Sequence, residues 1–551
     1  MTSTAQHTCI TCGASLPASA SLGLCGGCAF REALLLDSAE STPDGVLRRM
    51  GDYDLPTVSG IQVGSRLEAG RRDSPARGHE AAFPPEYPAL SLSAGLAAGW
   101  FPAPHATSFP TLTAVSPCIY KMLGKFRFMV ITNITKAAPL ADTFLQPMRA
   151  LLPGARHQRH CPEISDRDWM ILGISRIIEA EPSGRAFLQK ASTLLTGTPP
   201  RASFFEALAS ARRCRLTKEI NEALAKSMAR TQPDPFAAFP QLAAFDLYAG
   251  DGHFHAAAVH DPRDAGGSRH PTGHVYLLNL RSQAMRHLDL CDPVTRRKEH
   301  DMHVIKRHHL NELRGHAPKG RRVILTGDRA VLDFALWQKA KDTAGLYFVS
   351  RPKSNTALMR CGIRAVDAAD PVNAGIISDE EGAPAATARV IRRITWCDPD
   401  TGTDWQFLTN EMTLPPGLIV LIYRRRWDIE KAFDEFKNKL CEKKSWASSA
   451  AAKTAQANFL CLTHNLMVLY EHRLAGAGLR NETEEKRRGQ RLTKRTDLAE
   501  KAGRKMPSII SGVQWLTQRS VKYVRWLRHF MWADKPLHEM HATLRLLYAE
   551  L

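Results

Sequence analysis

Arg322-Val-Ile-Leu-Thr-Gly-Asp328 and, a little further on, Leu346-Tyr-Phe-Val-Ser350 decide the fold class. Each is a short apolar run rich in β-branched and aromatic residues, which suits a buried strand. Between them, Val331 to Lys341 has helical character. A strand, a helix and a second strand make a crossover unit, which places the two strands parallel in an α/β sheet. The first strand ends on an acid, Asp328, and the rim beyond the carboxyl ends of such strands is where sites form. Upstream, Leu242–Tyr248, Phe254–Val259, His274–Leu280 and Met285–Leu290 read as further strands separated by turn residues. Downstream, residues 388–410 add strand-like segments with Asp398-Pro-Asp-Thr-Gly402 as a turn, and helices dominate after 424.

The chain opens on Cys9-x2-Cys12-x12-Cys25-x2-Cys28, two knuckle pairs with the thiolate spacing of a structural zinc site. Residues 1–36 are therefore expected to form a zinc-ribbon-like module. Residues 37–115, rich in Ala, Gly, Pro and Ser, read as a flexible low-complexity linker. Residues 116–235 turn helical. An amphipathic helix is expected over 168–180, and Ser203–Arg213 begins another, with Ser203 as its N-cap. The cations Arg212, Arg213, Arg215 and Lys218 on the latter suit either a solvated face or a grip on a DNA end. Residues 236–470 form the α/β unit, with a β-rich insertion at about 355–415. The basic stretch 471–551 carries Lys486-Arg-Arg488, Arg491, Lys494-Arg495 and Arg504-Lys505.

Composition narrows the class of partner. The 551 residues contain 74 Lys+Arg against 55 Asp+Glu, a net charge of +19. That excess favours a polyanion, because each neutralised phosphate releases a counterion. The polar N-terminus carries no apolar signal segment and no window reads as a membrane span, so a cytoplasmic chain with reduced thiols is expected. Its 12 cysteines are then metal ligands or core residues.

Three acids stand out: Asp251 in Gly250-Asp-Gly-His-Phe-His255, Asp328, and Glu430 in Tyr423-Arg-Arg-Arg-Trp-Asp-Ile-Glu-Lys-Ala-Phe-Asp-Glu-Phe-Lys437. On one helix at about 100° per residue, Tyr423, Arg426, Glu430 and Lys437 fall within roughly 60° of each other. Ile429, Phe433, Phe436 and Leu440 form an adjoining apolar stripe. One carboxylate among cations is what phosphate handling needs: the acid can hold a metal while Arg and Lys engage phosphate oxygens.

Tyr423-x2-Arg426-x3-Glu430-x6-Lys437 resembles the Y-R-E-K signature of bacterial insertion-sequence DDE transposases, the IS-four-like class. Arg426-Trp-Asp-Ile-Glu430 and the preceding Phe407-Leu-Thr-Asn410 are similar to the surroundings of that signature. Thr326-Gly-Asp-Arg329 with Phe348-Val-Ser-Arg-Pro-Lys353 looks like the region of the second catalytic Asp, and Asp251-Gly252 like that of the first. The resemblance spans roughly residues 165–470. It implies an RNase H-like mixed sheet flanked by helices. Asp251, Asp328 and Glu430 would then hold two Mg2+ (or Mn2+) ions for strand cleavage and strand transfer. Tyr423, Arg426 and Lys437 would position DNA at the element's terminal inverted repeats. Arg351 and Lys353 suit either backbone clamps or plain surface charge. It further implies target DNA as a partner, a homodimer in the DNA complex, and a bacterial, nucleoid-associated setting.

Some alternatives stay open at this point. Asp246 could replace Asp251. His253 and His255 share a strand face with Asp251 and could be mistaken for ligands, although a hard ion prefers oxygen. Asp333 reads as a helix-surface charge. Trp396 or Trp405 could stack on a flipped base. The alternative function is a non-catalytic DNA-binding protein derived from a transposase.

Overall fold

A computed structural model describes residues 138–549, apart from 162, 182, 193–200, 292–298, 300, 385–388, 505–506 and 513–518. The four-cysteine module, the linker and residues up to 137 lie outside the described residues.

The core is one nine-stranded sheet in the order β3-β2-β1-β4-β5-β9-β8-β7-β6. Its strands are β1 (Phe245–His255), β2 (Thr272–Asn279), β3 (Met285–Leu290), β4 (Arg322–Thr326), β5 (Leu346–Ser350), β6 (Leu358–Ile363), β7 (Ile376–Pro384), β8 (Ile391–Cys397) and β9 (Asp404–Thr409). β1, β4 and β5 run parallel, while β2 and β3 return antiparallel on the flank of β1. Three parallel strands with an antiparallel hairpin on one flank are consistent with an RNase H-like domain. On the other flank, β9 pairs antiparallel with β5 through only Val349↔Thr409 and Ser350↔Leu408, and β8, β7 and β6 follow as a meander. A buried ion pair fastens that meander: Arg392 Nη2 stands 2.7 Å from Asp379 Oδ2.

Helices cover both faces. Before the sheet come α1 (Pro139–Leu151), α2 (Asp166–Glu179), α3 (Gly184–Ala191), α4 (Arg201–Ala209) and α5 (Ala211–Thr231). Within it lie α6 (Asp301–Arg307) and the crossover α7 (Phe334–Ala344). After it come α8 (Pro416–Arg425), α9 (Trp427–Asp434), α10 (Ala450–Gly476), α11 (Glu482–Lys501), α12 (Val521–Phe530) and α13 (Leu537–Ala549). Strand alternation sorts the core into two layers. Phe245, Leu247 and Ala249 of β1 join the cluster that holds Ile429, Phe433 and the long helix α10. Tyr248 faces the opposite layer, with Val304 of α6 and Trp337 of α7. α10 is buried on nearly every side, and its Asn465 ties β3 to α5 by accepting from Met285 N at 2.8 Å and donating to Asn221 Oδ1 at 2.8 Å.

Several expectations from sequence are corrected. The segments 242–248 and 254–259 are not two strands with a turn at Gly250-Asp-Gly252; β1 runs unbroken from Phe245 to His255. Neither glycine has a positive φ. Their missing Cβ atoms instead make room on the far face: one at Gly250 would sit 3.3 Å from Leu277 and Leu325, and one at Gly252 only 2.6 Å from the Asp301 carboxylate. Ser203 lies inside α4, and the cap of the next helix is Ser210, whose hydroxyl accepts from Arg213 N. α2 is buried all round rather than amphipathic. Arg212 and Arg213 do not form a free basic face: both guanidiniums pair with Asp166, at 2.7 Å and 3.3 Å. Asp333 is no mere surface charge, since it caps α7 by accepting from Leu336 N.

Candidate active site

Asp251 and Asp328 reach the same rim by the same step. The parallel register of β1 and β4 ends at Ala249↔Thr326, and each acid stands two residues further along. Asp251 remains within β1 because that strand outruns β4 while still paired to β2, opposite Tyr276. Asp328 has left the sheet and caps a short 3-10 turn by accepting from Ala330 N at 2.7 Å. Its carbonyl is held from the neighbouring strand by Ser350 Oγ, 2.7 Å away. β5 ends on the same rim and delivers Arg351 there. The Arg351 guanidinium lies 4.4 Å from the centre of the Trp405 ring. Lys353 follows as an exposed side chain whose backbone N–H donates to Thr356 Oγ1 at 2.8 Å.

Asp251 projects on the odd face of β1, under the helix that carries Glu430. Arg426 Nη1 donates to Asp251 Oδ2 at 3.0 Å and to Glu430 Oε1 at 3.3 Å. The Gly252 N–H donates to Asp251 Oδ1 at 2.8 Å. Burial, then the facing Glu430 charge, push the Asp251 carboxyl up to about 8; Arg426 opposes the shift and Asp328 adds to it. Burial pulls on Arg426, but Tyr423, Asp251 and Glu430 outweigh it and raise its pKa. The structure therefore brings Asp251, Asp328, Arg426 and Glu430 into one electrostatic cluster.

The segment that presents Tyr423 to Lys437 is not one uniform helix. α8 gives way to α9 at Arg426, and a π-helical turn, Glu435–Lys439, follows. That turn changes the angular step, so the ideal spacing fails for Lys437. Lys437 is exposed, and burial, then the Lys437 charge, push the His253 imidazole down to about 4. Tyr423 packs on Phe407 at 5.1 Å, and the Arg426 guanidinium lies 5.9 Å from the centre of the Tyr423 ring. Ile429, Phe433, Phe436 and Leu440 are all buried in the core. Two buried pairs fix the backbone: Arg425 with Asp428 at 2.6 Å, and Glu435 with His464 at 2.9 Å and with Arg519.

The other candidates separate from this rim. Asp246 points to the opposite face near the start of β1, 3.5 Å from Arg321. Trp396 is fully buried and donates to Ala374 O at 2.9 Å, so it belongs to the core and offers no platform for a base. His253 stacks on Phe433 with centroids 4.9 Å apart. It begins a buried series with His255, His274 and His287, which sequence reading did not find. Only the cross-strand register, with His253 opposite His274, assembles it. Ser350 was missed too, because its role depends on the pairing of β4 with β5.

Among the described residues, no three His, Cys, Asp or Glu side chains stand together as ready ligands of a metal ion. The donor set nevertheless suits a hard divalent cation. It offers carboxylate oxygens, two of the three acids share one guanidinium, and burial, then the Glu430 charge, raise the Asp251 pKa.

Residues 251–466 match the family model described as the transposase DDE domain. The match begins at Asp251, runs through the sheet and the whole β6–β9 meander, includes Arg426, Glu430 and Lys437, and ends within α10. It supports a DDE transposase. No curated protein matches the chain. Among the described residues, no helix is long and apolar enough to cross a membrane.

Proposed function

We propose that this protein is a DNA transposase of the Y-R-E-K, IS-four-like class, which cleaves DNA at the ends of an insertion sequence and joins them to a target. The observation that carries the reading is the bridge from Arg426 to both Asp251 and Glu430, at the rim of a domain that matches the transposase DDE family.

Asp251, Asp328 and Glu430 would hold two Mg2+ or Mn2+ ions, with Arg426 withdrawing from its present bridge. Bound there, the ions supply activation of the attacking oxygen and charge neutralisation at the leaving one. The chain's own groups do the rest. The Gly252 N–H orients one oxygen of Asp251, and Ser350 fixes the backbone at Asp328. Arg426 moves its donors from carboxylates to a phosphate oxygen, where a guanidinium binds well. Lys437 and Lys353 approach the DNA backbone from exposed positions. Arg351, held over Trp405, presents its donors, and Tyr423 packs beside Arg426. In cleavage, water attacks the phosphodiester at the element's end and the element's 3′-oxygen leaves as a hydroxyl; in joining, that 3′-hydroxyl attacks a target phosphodiester and displaces the target's 3′-oxygen.

In this reading, the helices before β1 and the cations of α11 (Lys486, Arg487 and Lys494, all exposed) track the DNA ends. A homodimer holds two ends at once. Cys9, Cys12, Cys25 and Cys28 would bind structural zinc.

The test is cleavage of DNA carrying the inverted repeats that flank the gene, with Mg2+, by wild type and Glu430→Gln. Loss of cleavage by about 10²-fold or more, with end binding retained, supports the reading. Equal cleavage by both proteins overturns it.

A further inference from the structure

The sheet has a second charged end. Opposite the rim of Asp251 and Asp328, the starts of β1 and β4, the β2–β3 turn and the end of α5 enclose a cavity of about 360 Å³. Five cations line it, Lys226, Arg230, Arg281, Arg286 and Arg321, against two carboxylates, Asp234 and Asp246.

Most of these cations are not equally engaged. Arg281 is fully occupied, donating to Asp234 and to the carbonyls of Phe245 at 3.1 Å and Leu242 at 2.6 Å. Arg321 donates to Ala243 O at 2.8 Å and stands 3.5 Å from Asp246. Arg286 differs. Only 9% exposed, it reaches Glu222 through Nη2 at 3.3 Å, while its Nε and Nη1 are buried with no partner. The Nε2 of His316 beside it is unpartnered as well. Lys226 and Arg230 are exposed and form no ion pair among the described residues. A buried guanidinium with two unmatched nitrogens is costly unless something accepts from it. The surplus positive charge says that the acceptor is an anion.

We propose that this cavity is a binding site for a small phosphate-bearing anion, either inorganic phosphate or a nucleoside monophosphate. Arg286 supplies donors at the floor, and Lys226 and Arg230 close the charge at the rim. Both ligands present the same terminal phosphate, with several acceptor oxygens in a compact dianion that matches Arg and Lys donors. The volume lies within the range of small-molecule sites and excludes a duplex. The site shares no residue with the Asp251 rim and does not rest on the phosphoryl-transfer reading.

The experiment is calorimetric titration of the full-length protein in EDTA, with inorganic phosphate and separately with adenosine monophosphate. Saturable one-to-one binding is expected, weakened about tenfold or more by Arg286→Gln, which removes a charge-assisted donor. The surface double variant Lys226→Ala/Arg230→Ala should weaken binding several-fold, and it keeps the test decisive if Arg286→Gln does not fold. Equal affinity for the two ligands identifies the free ion as sufficient, and tighter monophosphate binding identifies the nucleotide. No saturable binding of either, or binding unchanged in the surface double variant, overturns the proposal.

Discussion

Arg426 and Asp251 stand 175 residues apart in the chain, yet Arg426 Nη1 meets the Asp251 carboxylate at 3.0 Å and, from the same nitrogen, Glu430 at 3.3 Å. One monovalent group thus sits between two acids, with a third acid, Asp328, acting on Asp251 from the next strand. One positive charge answers more negative charge than it can balance.

Asp251→Asn should therefore stabilise the metal-free protein at alkaline pH. The folded-state pKa of Asp251, about 8, lies above its unfolded value, so its contribution is fully present below about pH 4 and is lost as pH rises through 8. Removing the charge should gain on the order of a few kcal/mol above pH 8. Thermal melts in EDTA would show this, and added Mg2+ or Mn2+ should raise the wild-type melting temperature but not the variant's. A variant still stabilised by metal would remove Asp251 from the ligand set.

Arg426→Lys keeps the charge and loses the planar guanidinium, whose Nη1 reaches both acids. Cleavage should fall about 10²-fold while binding of end DNA changes little. Gel-shift and cleavage assays on the same preparation separate the two effects. Loss of binding without loss of turnover would make Arg426 only an anchor for DNA.

Glu435→Gln should unfold the protein far more readily than its distance from the acids suggests. Burial opposes the Glu435 charge, but Arg519 and His464 outweigh it and hold the pKa near 2. Removing one member leaves the buried Arg519 with only Glu471, 3.2 Å from its Nε, to balance it, at a cost of about 3 kcal/mol. Urea denaturation would read the loss. A change below about 1 kcal/mol would show that the pair is not what holds the π-turn.

The buried imidazoles set an acid limit. Burial pushes His255 and His287 down to about 3, and His274 well below its ordinary value. Depressed pKa values favour the neutral form, so this contribution is complete above about pH 6.5 and is lost as pH falls toward 3. His287→Gln should flatten the decline in stability between pH 6 and 4, as followed by denaturant midpoints. An unchanged slope would place the acid sensitivity elsewhere.

Much of the acidic rim was legible because it is local. A β-branched run ending on Asp328 marks a strand and its rim, and the spacing from Tyr423 to Glu430 nearly matches a helix. What escaped depends on partners distant in sequence. Gly250 and Gly252 look like a turn until Leu277, Leu325 and Asp301 are known to need their space. Arg212 looks like a DNA contact until Asp166 is found beside it. The π-turn at Glu435–Lys439 is written in Arg519 and His464, not in the turn itself. The cavity around Arg286 draws on α5, three strands and the loop before β4, so no window of sequence contains it.

The seam between β5 and β9 is two residues long. One of them, Ser350, pairs with Leu408 on one side and grips the carbonyl of Asp328 on the other. A pull on the meander thus has, in this serine, a direct route to the acid at the end of β4. Whatever loads that outer sheet also pulls on the acid.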